Sequence, residues 1–358
     1  EYARAAASFQ SFPRRYPDSY LLTAARYWYG KSRLALKQFP QAQNIFRDVS
    51  ESDYTDYYSF RARSMLALLD DTIGARFFID TNFSVPAARA WLDSVSPSSR
   101  RPLHTKDSLN YQRGIRLALV GQARDAEIFL ENIEYNYPGN LQLQFDMALL
   151  YFECGEPALS YRVGRRLSWR IPSQHRTGMP LAVVHILYPF SFDEIIRTEA
   201  FRNELECSLV RGLIRQESIF DPQIVSPAGA VGLMQIMPYT GKDIARNLRE
   251  GFILDSLYSP FVNVRYGSFY LRTLLDSFNH NLVLALAGYN GGPHNARKWF
   301  NRNKQRSFDL FIEDIAFSET RAYVKKVLGN YWMYKKLEQH LPETASRFSP
   351  FENNRYPW

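Results

Sequence analysis

Leu213-Ile-Arg-Gln-Glu217-Ser218, Ser226-Pro-Ala-Gly-Ala-Val-Gly232-Leu-Met-Gln235-Ile-Met237-Pro and Ala287-Gly-Tyr289-Asn290 succeed one another in the second half of this chain. Val210, Leu213 and Ile214 recur at helical spacing, and Glu217 continues their stripe at the next turn. An ionised carboxyl on a buried stripe is costly, so burial raises its pKa and makes it a usable general acid near neutral pH. Asp221-Pro222 is expected to stop the helix. Ser226 to Gly232 contains two glycines and small side chains, which permits positive backbone angles and close approach to a ligand. Gln235 can donate and accept hydrogen bonds, and Met237 offers a soft apolar contact; both suit an amide-bearing sugar. Tyr289 and Asn290 precede Gly291-Gly292-Pro293, a turn expected to expose them. Glu319-Thr-Arg-Ala-Tyr323-Val opens a last helix, with Glu319 near an N-terminus where a carboxylate is favoured.

Outward from this stretch the pattern stays helical. Helices are expected at 208–216, 239–249, 262–278, 281–288, 293–300 and 318–338, and no strand-like alternation of useful length appears. Loop chemistry concentrates in Ile171-Pro-Ser-Gln-His-Arg-Thr-Gly178-Met-Pro180, which divides the chain into domains of residues 1–185 and 186–358. The first reads as short amphipathic helices: Tyr20 to Leu36, a break at Phe39-Pro40, Ala42 to Val49, Gln122 to Ile133, Leu141 to Phe152, and a helix from Pro157. Small residues fall at the crossings and prolines after the ends. This is the loose pattern of tetratricopeptide-type hairpins, which bury their faces by stacking into a superhelix. A plain helical bundle is the alternative.

Composition narrows the function classes. The 358 residues are 46% hydrophobic, which excludes a disordered chain. A net charge of +8 favours anionic partners, yet no Lys/Arg run of nucleic-acid type accompanies it, so no nucleic-acid role is expected. Cys154 and Cys207 match no metal spacing and the histidines form no ligand motif, so neither a metal nor an organic cofactor is expected. The two cysteines are buried thiols or one bridge. No apolar run approaches the roughly 20 residues of a membrane span, and no signal-peptide pattern is visible at Glu1.

These blocks, in this order, resemble the family 1 lytic transglycosylases, glycoside hydrolase family 23. The family carries Glu-Ser at a helix end, matched by Glu217-Ser218; Gly-Leu-Met-Gln, matched by Gly232 to Gln235; Ala-Tyr-Asn; and a Glu-Thr-Arg-x-Tyr-Val helix. The third block departs from the pattern, since Gly288 stands before Tyr289. The run Tyr258-Ser-Pro-Phe-Val-Asn263-Val-Arg-Tyr-Gly267-Ser-Phe-Tyr270-Leu271 also looks like this family, and the likeness covers roughly Tyr188 to Tyr334. The resemblance implies an all-α fold: a TPR-like superhelical N-terminal domain followed by a lysozyme-like catalytic domain. It implies cleavage of peptidoglycan glycan strands with Glu217 as acid and then base, and a 1,6-anhydro-muramyl product. Gln235, Met237, Tyr289, Asn290 and Glu319 would contact sugar, Ser218 and Ser226 would support Glu217 or the acetamido group, and Tyr323 would form a wall. A periplasmic or cell-envelope location follows from that substrate, and the N-terminal helices would position glycan or cell-wall protein partners. The rival expectations are a lysozyme-like hydrolase, which releases reducing ends, and a non-catalytic glycan-binding scaffold.

Overall fold

A computed structural model describes residues 1–52, 56–69, 83–96, 102–302 and 307–340. Among these residues the chain is all-α, with no strand and only two single-pair antiparallel bridges, Val225 to Val231 and Val231 to Ile236. By packing it divides into two compact units, residues 1–79 and 80–358. The boundary expected near residue 185 falls inside the second unit, and residues 341–358 of the expected second domain lie outside the described residues.

The first unit holds α1 (Tyr2–Arg15), α2 (Leu22–Ala35), α3 (Phe39–Ser52) and α4 (Tyr57–Leu69), each packed on the next. Their core is aromatic, with the Tyr27 ring 5.8 Å from Phe46 and 5.5 Å from Tyr58. The expected break at Phe39-Pro40 lies slightly earlier: Lys37 turns the chain at φ 61°, and Pro40 sits in the first turn of α3, where its missing N–H costs nothing.

In the second unit, α5 (Val85–Val95), α6 (Thr105–Leu119), α7 (Ala123–Asn136), α8 (Leu141–Glu153) and α9 (Pro157–Arg170) precede a short α10 (Leu181–Leu187). The α6/α7 and α8/α9 pairs are hairpins, and Asn140 caps α8 by accepting the Leu143 amide. Then follow α11 (Asp193–Arg202), α12 (Cys207–Glu217), α13 (Pro238–Leu248), α14 (Pro260–Ser277), α15 (Leu282–Gly291), α16 (Pro293–Arg302), α17 (Phe308–Glu313) and α18 (Ser318–His340). Helices α1, α4, α5, α6 and α11 are not among those expected from the periodicity, nor are the short α10 and α17, where one or two turns give too few repeats of an apolar face to read. Cys154 and Cys207 are free thiols. Among the described residues no helix is long and apolar enough to cross a membrane.

The frame of the site is α12 against α18, the most extensive contact among the described helices. Its closeness rests on Gly212, where a Cβ would lie 2.8 Å from the Tyr331 backbone nitrogen. Asn330 of α18 donates to the Gly212 carbonyl at 3.1 Å. The fully buried Arg211 joins Asp193 at the start of α11 to Glu338 near the end of α18. At the entry of α12, Glu206 accepts from Tyr331 and Lys335 of α18, each at 2.8 Å. With the entry and the middle of α12 tied to α11 and α18, the direction in which its last residue emerges is set.

Candidate active site

That last residue is Glu217. Ser208 to Ile214 are buried without interruption, and Glu217 emerges one turn later, partly covered. The helix stops here rather than at Asp221-Pro222. Ile219 and Phe220 adopt φ of 54° and 60°, left-handed values that cannot continue an α-helix. The Tyr323 hydroxyl of α18 donates to Glu217 Oε1 at 2.6 Å. Burial pushes the Glu217 carboxyl up to about 7; the Tyr323 hydrogen bond pulls it down, and the charge of Glu319 pushes it up again. Burial and the neighbouring Glu217 raise both the Tyr323 and Tyr289 hydroxyls well above the usual phenol range, so both remain donors at any working pH.

A loop stands beside the carboxyl, and most of its polar groups serve its own shape. Gly232 has φ 78°, and a Cβ there would lie 2.4 Å from Asn263 Nδ2 and 2.5 Å from the Leu257 carbonyl oxygen, so only glycine fits. Asn263 is a buried clip. Its Nδ2 donates to the Val231 and Leu257 carbonyls at 2.8 and 2.7 Å, and its Oδ1 accepts the Met234 amide at 2.7 Å. Gln235 sits at φ 50° and donates to the Gly232 and Ile224 carbonyls at 2.9 and 3.3 Å. Ser226 accepts the Ala230 amide at 3.0 Å and closes the turn, while Ser218, buried, donates to the Leu233 carbonyl at 2.9 Å. Ser218 thus ties the loop to the end of α12, and Ser226 closes the loop's own turn. Met237, half-buried, precedes Pro238 at the start of α13.

The remaining expected residues come from α15 and α18. Tyr289 and Asn290 lie in the last turn of α15, half-buried rather than lifted out on a turn. Tyr289 donates to the Met234 carbonyl at 2.8 Å, and Asn290 Oδ1 accepts from Thr320 at 2.6 Å. Glu319 is exposed in the first turn of α18. Glu217, Tyr323, Tyr289 and the Gly232 to Met237 loop therefore meet at one place, and Glu319 reaches the carboxyl by its charge. Sequence reasoning places Asn263, Thr320 and Tyr270 only within family-like runs and gives them no role; the Tyr270 ring lies 5.3 Å from that of Tyr289. For Asn263 a signal existed: an amide on a face otherwise formed by Val264, Gly267 and Leu271, a face that is buried.

Known proteins share both sequence and fold with this unit. Residues 194–312 match the family model described as Transglycosylase SLT domain. A soluble lytic murein transglycosylase of Escherichia coli K12 is 34% identical over 149 residues, which cover 40% of this chain and 22% of that protein. The fold matches a lytic transglycosylase Slt of Pseudomonas aeruginosa, solved as an inactive glutamate-to-glutamine mutant. There the TM-score is 0.72 at 23% identity, over 95% of this chain and 50% of that one. The 70-kDa soluble lytic transglycosylase of E. coli matches with a TM-score of 0.67 at 21% identity, over 90% of this chain and 48% of that one. The chain thus spans about half the length of the solved proteins whose fold it shares.

Proposed function

We propose that this chain, which carries a transglycosylase SLT domain over residues 194–312, is a lytic transglycosylase of bacterial peptidoglycan. It cleaves the β-1,4 bond between N-acetylmuramic acid and N-acetylglucosamine and leaves a 1,6-anhydro-muramyl end. The observation that carries this reading is Glu217: a carboxyl half-protonated near neutrality, fixed at a helix end, with one oxygen already accepting from Tyr323.

Because Oε1 accepts that bond, the acidic proton belongs on Oε2. It passes to the glucosaminyl O4 as the C1–O4 bond breaks, while the muramyl 2-acetamido oxygen closes on C1. Glu217, now a carboxylate, is steadied by the Tyr323 hydroxyl through a charge-assisted bond. It then removes the proton of the muramyl 6-hydroxyl, O6 attacks C1, and the acetamido oxygen departs. Glu217 ends protonated and no water is consumed. A tethered nucleophile reacts with a large effective molarity, so the protein's task is to hold the ring and exclude water. The two-carboxyl arrangement of most glycosidases is not needed.

In this reading Gln235, Met237, Tyr289, Asn290 and Glu319 line the sugar site, and Ser218 and Ser226 position the loop. The substrate places the protein in the periplasm or cell envelope. Residues 186–358 act as the catalytic domain, and the helices of residues 1–185 guide glycan strands or dock cell-wall proteins. Glu217→Gln tests the reading. The folded variant should release soluble muropeptides from purified peptidoglycan about a hundredfold to ten-thousandfold more slowly. Near-native release by a folded Gln variant would remove Glu217 from the mechanism.

A further inference from the structure

Behind the end of α12 the second unit has a cavity of about 180 Å³ that the chemistry at Glu217 does not use. Its lining includes Phe192, Pro157 and Ala158, and Arg124, Glu156 and Asp221 supply its charges. Arg124 belongs to α7, Glu156 precedes α9, and Asp221 comes four residues after Glu217. The rim charges meet loosely. Arg124 Nε lies 3.5 Å from Glu156 Oε1, and Arg124 Nη2 lies 3.5 Å from Asp221 Oδ1. Charge-assisted hydrogen bonds close to about 2.7–2.9 Å when the partners satisfy each other. These pairs stop short of that, and the Arg124 side chain keeps 57% of its surface open. Asp221 Oδ1 also accepts the Gln223 amide at 2.9 Å, which closes a local turn at the cavity edge.

The charge pattern selects the ligand. An anion alone would meet two carboxylates beside one guanidinium, and a cation alone would meet the guanidinium. A group bearing an ammonium and a carboxylate on one carbon meets both needs: its carboxylate on the Arg124 fork, its ammonium between Glu156 and Asp221, and its aliphatic chain against Phe192. We propose that this cavity is a second binding site, which takes the zwitterionic end of a diamino acid in a cell-wall peptide stem. The identity of that stem rests on the function proposed above, whereas the zwitterion rests on the cavity itself. Occupancy would bear on the segment of Ile219 and Phe220, whose left-handed backbone joins the cavity to the catalytic helix end.

The test is calorimetric titration of the full chain with a sugar-free stem tripeptide ending in meso-diaminopimelate, which requires no catalysis. Saturable binding is expected, weakened about tenfold or more by Arg124→Ala, as the loss of a charge-assisted bond implies. Ala158→Trp, which fills the cavity from the start of α9, should abolish it. Acetylating the distal amine of the probe should weaken binding as much as Arg124→Ala does. No binding, binding indifferent to both variants, or equal binding of the acetylated probe would overturn the proposal. Binding of the tripeptide by a protein that releases no muropeptide would leave this site standing and sink the catalytic reading instead.

Discussion

Two neighbours act on the Glu217 carboxyl in opposite directions: the hydroxyl of Tyr323 stabilises its charge, and Glu319 repels it. If Glu217 must be protonated to begin, kcat/KM falls as pH rises through about 7. Tyr323→Phe removes the stabilising bond and should move that alkaline limb to higher pH, with a lower plateau. Glu319→Gln removes the repulsion and should move it to lower pH. Shifts of the same sign in both variants would show that the limb belongs to another group. The raised pKa is also a statement about stability. Below about 4.5 folded and unfolded chains both hold the proton; between 4.5 and 7 only the folded chain does; above 7 the folded chain carries a buried charge. Stability is therefore lost as pH rises through that window, by at most about 3 kcal/mol. Glu217→Gln should melt several degrees above wild type at pH 8 and close to it at pH 4, as differential scanning calorimetry can show. Both the position and the acidity of this carboxyl were legible in the sequence, because a glutamate continuing a buried stripe has few other fates.

At the level of elements, the site depends on how closely α12 approaches α18 and on one buried amide. Gly212→Ala would set a methyl group against the Tyr331 backbone, which has no rotamer to yield. A loss of about 1–3 kcal/mol of stability is expected, with a loss of activity as the helices carrying Glu217 and Tyr323 separate. Asn263→Ala strands the Val231 and Leu257 carbonyls and the Met234 amide in the interior. Each unpaired group costs about 1–3 kcal/mol, so the variant should unfold at clearly lower denaturant. A melting curve unchanged by Asn263→Ala would mean the loop holds its shape without the clip. The helices that carry the site, α12, α15 and α18, were legible from periodicity and the loop from its glycines. What holds the loop was not: Gln235, Ser218 and Ser226 bond to backbone carbonyls and amides, and no residue pattern announces a backbone partner. The end of α12 was misplaced for a related reason. Proline is a visible stop, whereas left-handed Ile219 and Phe220 are imposed by tertiary contact.

Across the whole second unit, a second buried group offsets Glu217. His185 of α10 lies between Phe152, Phe83 and Phe190, with ring centroids 5.0 to 5.6 Å away, and neither ring nitrogen has a hydrogen-bond partner. Burial lowers its pKa to about 4, so the folded chain keeps it neutral while the unfolded chain takes up a proton near 6.5. Its contribution to stability is present above 6.5 and is lost as pH falls toward 4, opposite in sign to that of Glu217. The two slopes oppose one another between about 4.5 and 6.5. His185→Leu should stabilise the protein at pH 4.5 relative to pH 7.5, and a parallel shift at both pH values would contradict the assignment. The all-α class and the hairpin character were legible because they follow from local periodicity. The division by packing at residues 79 and 80 was not, since it depends on contacts far apart in sequence. The most direct test of the function is digestion of purified peptidoglycan in heavy-oxygen water, followed by mass spectrometry of the muramyl ends. Internal attack by the 6-hydroxyl should give anhydro ends, each lighter than a reducing end by one water and free of heavy oxygen. Reducing ends carrying one heavy oxygen would show that water is the nucleophile and that the protein is a hydrolase.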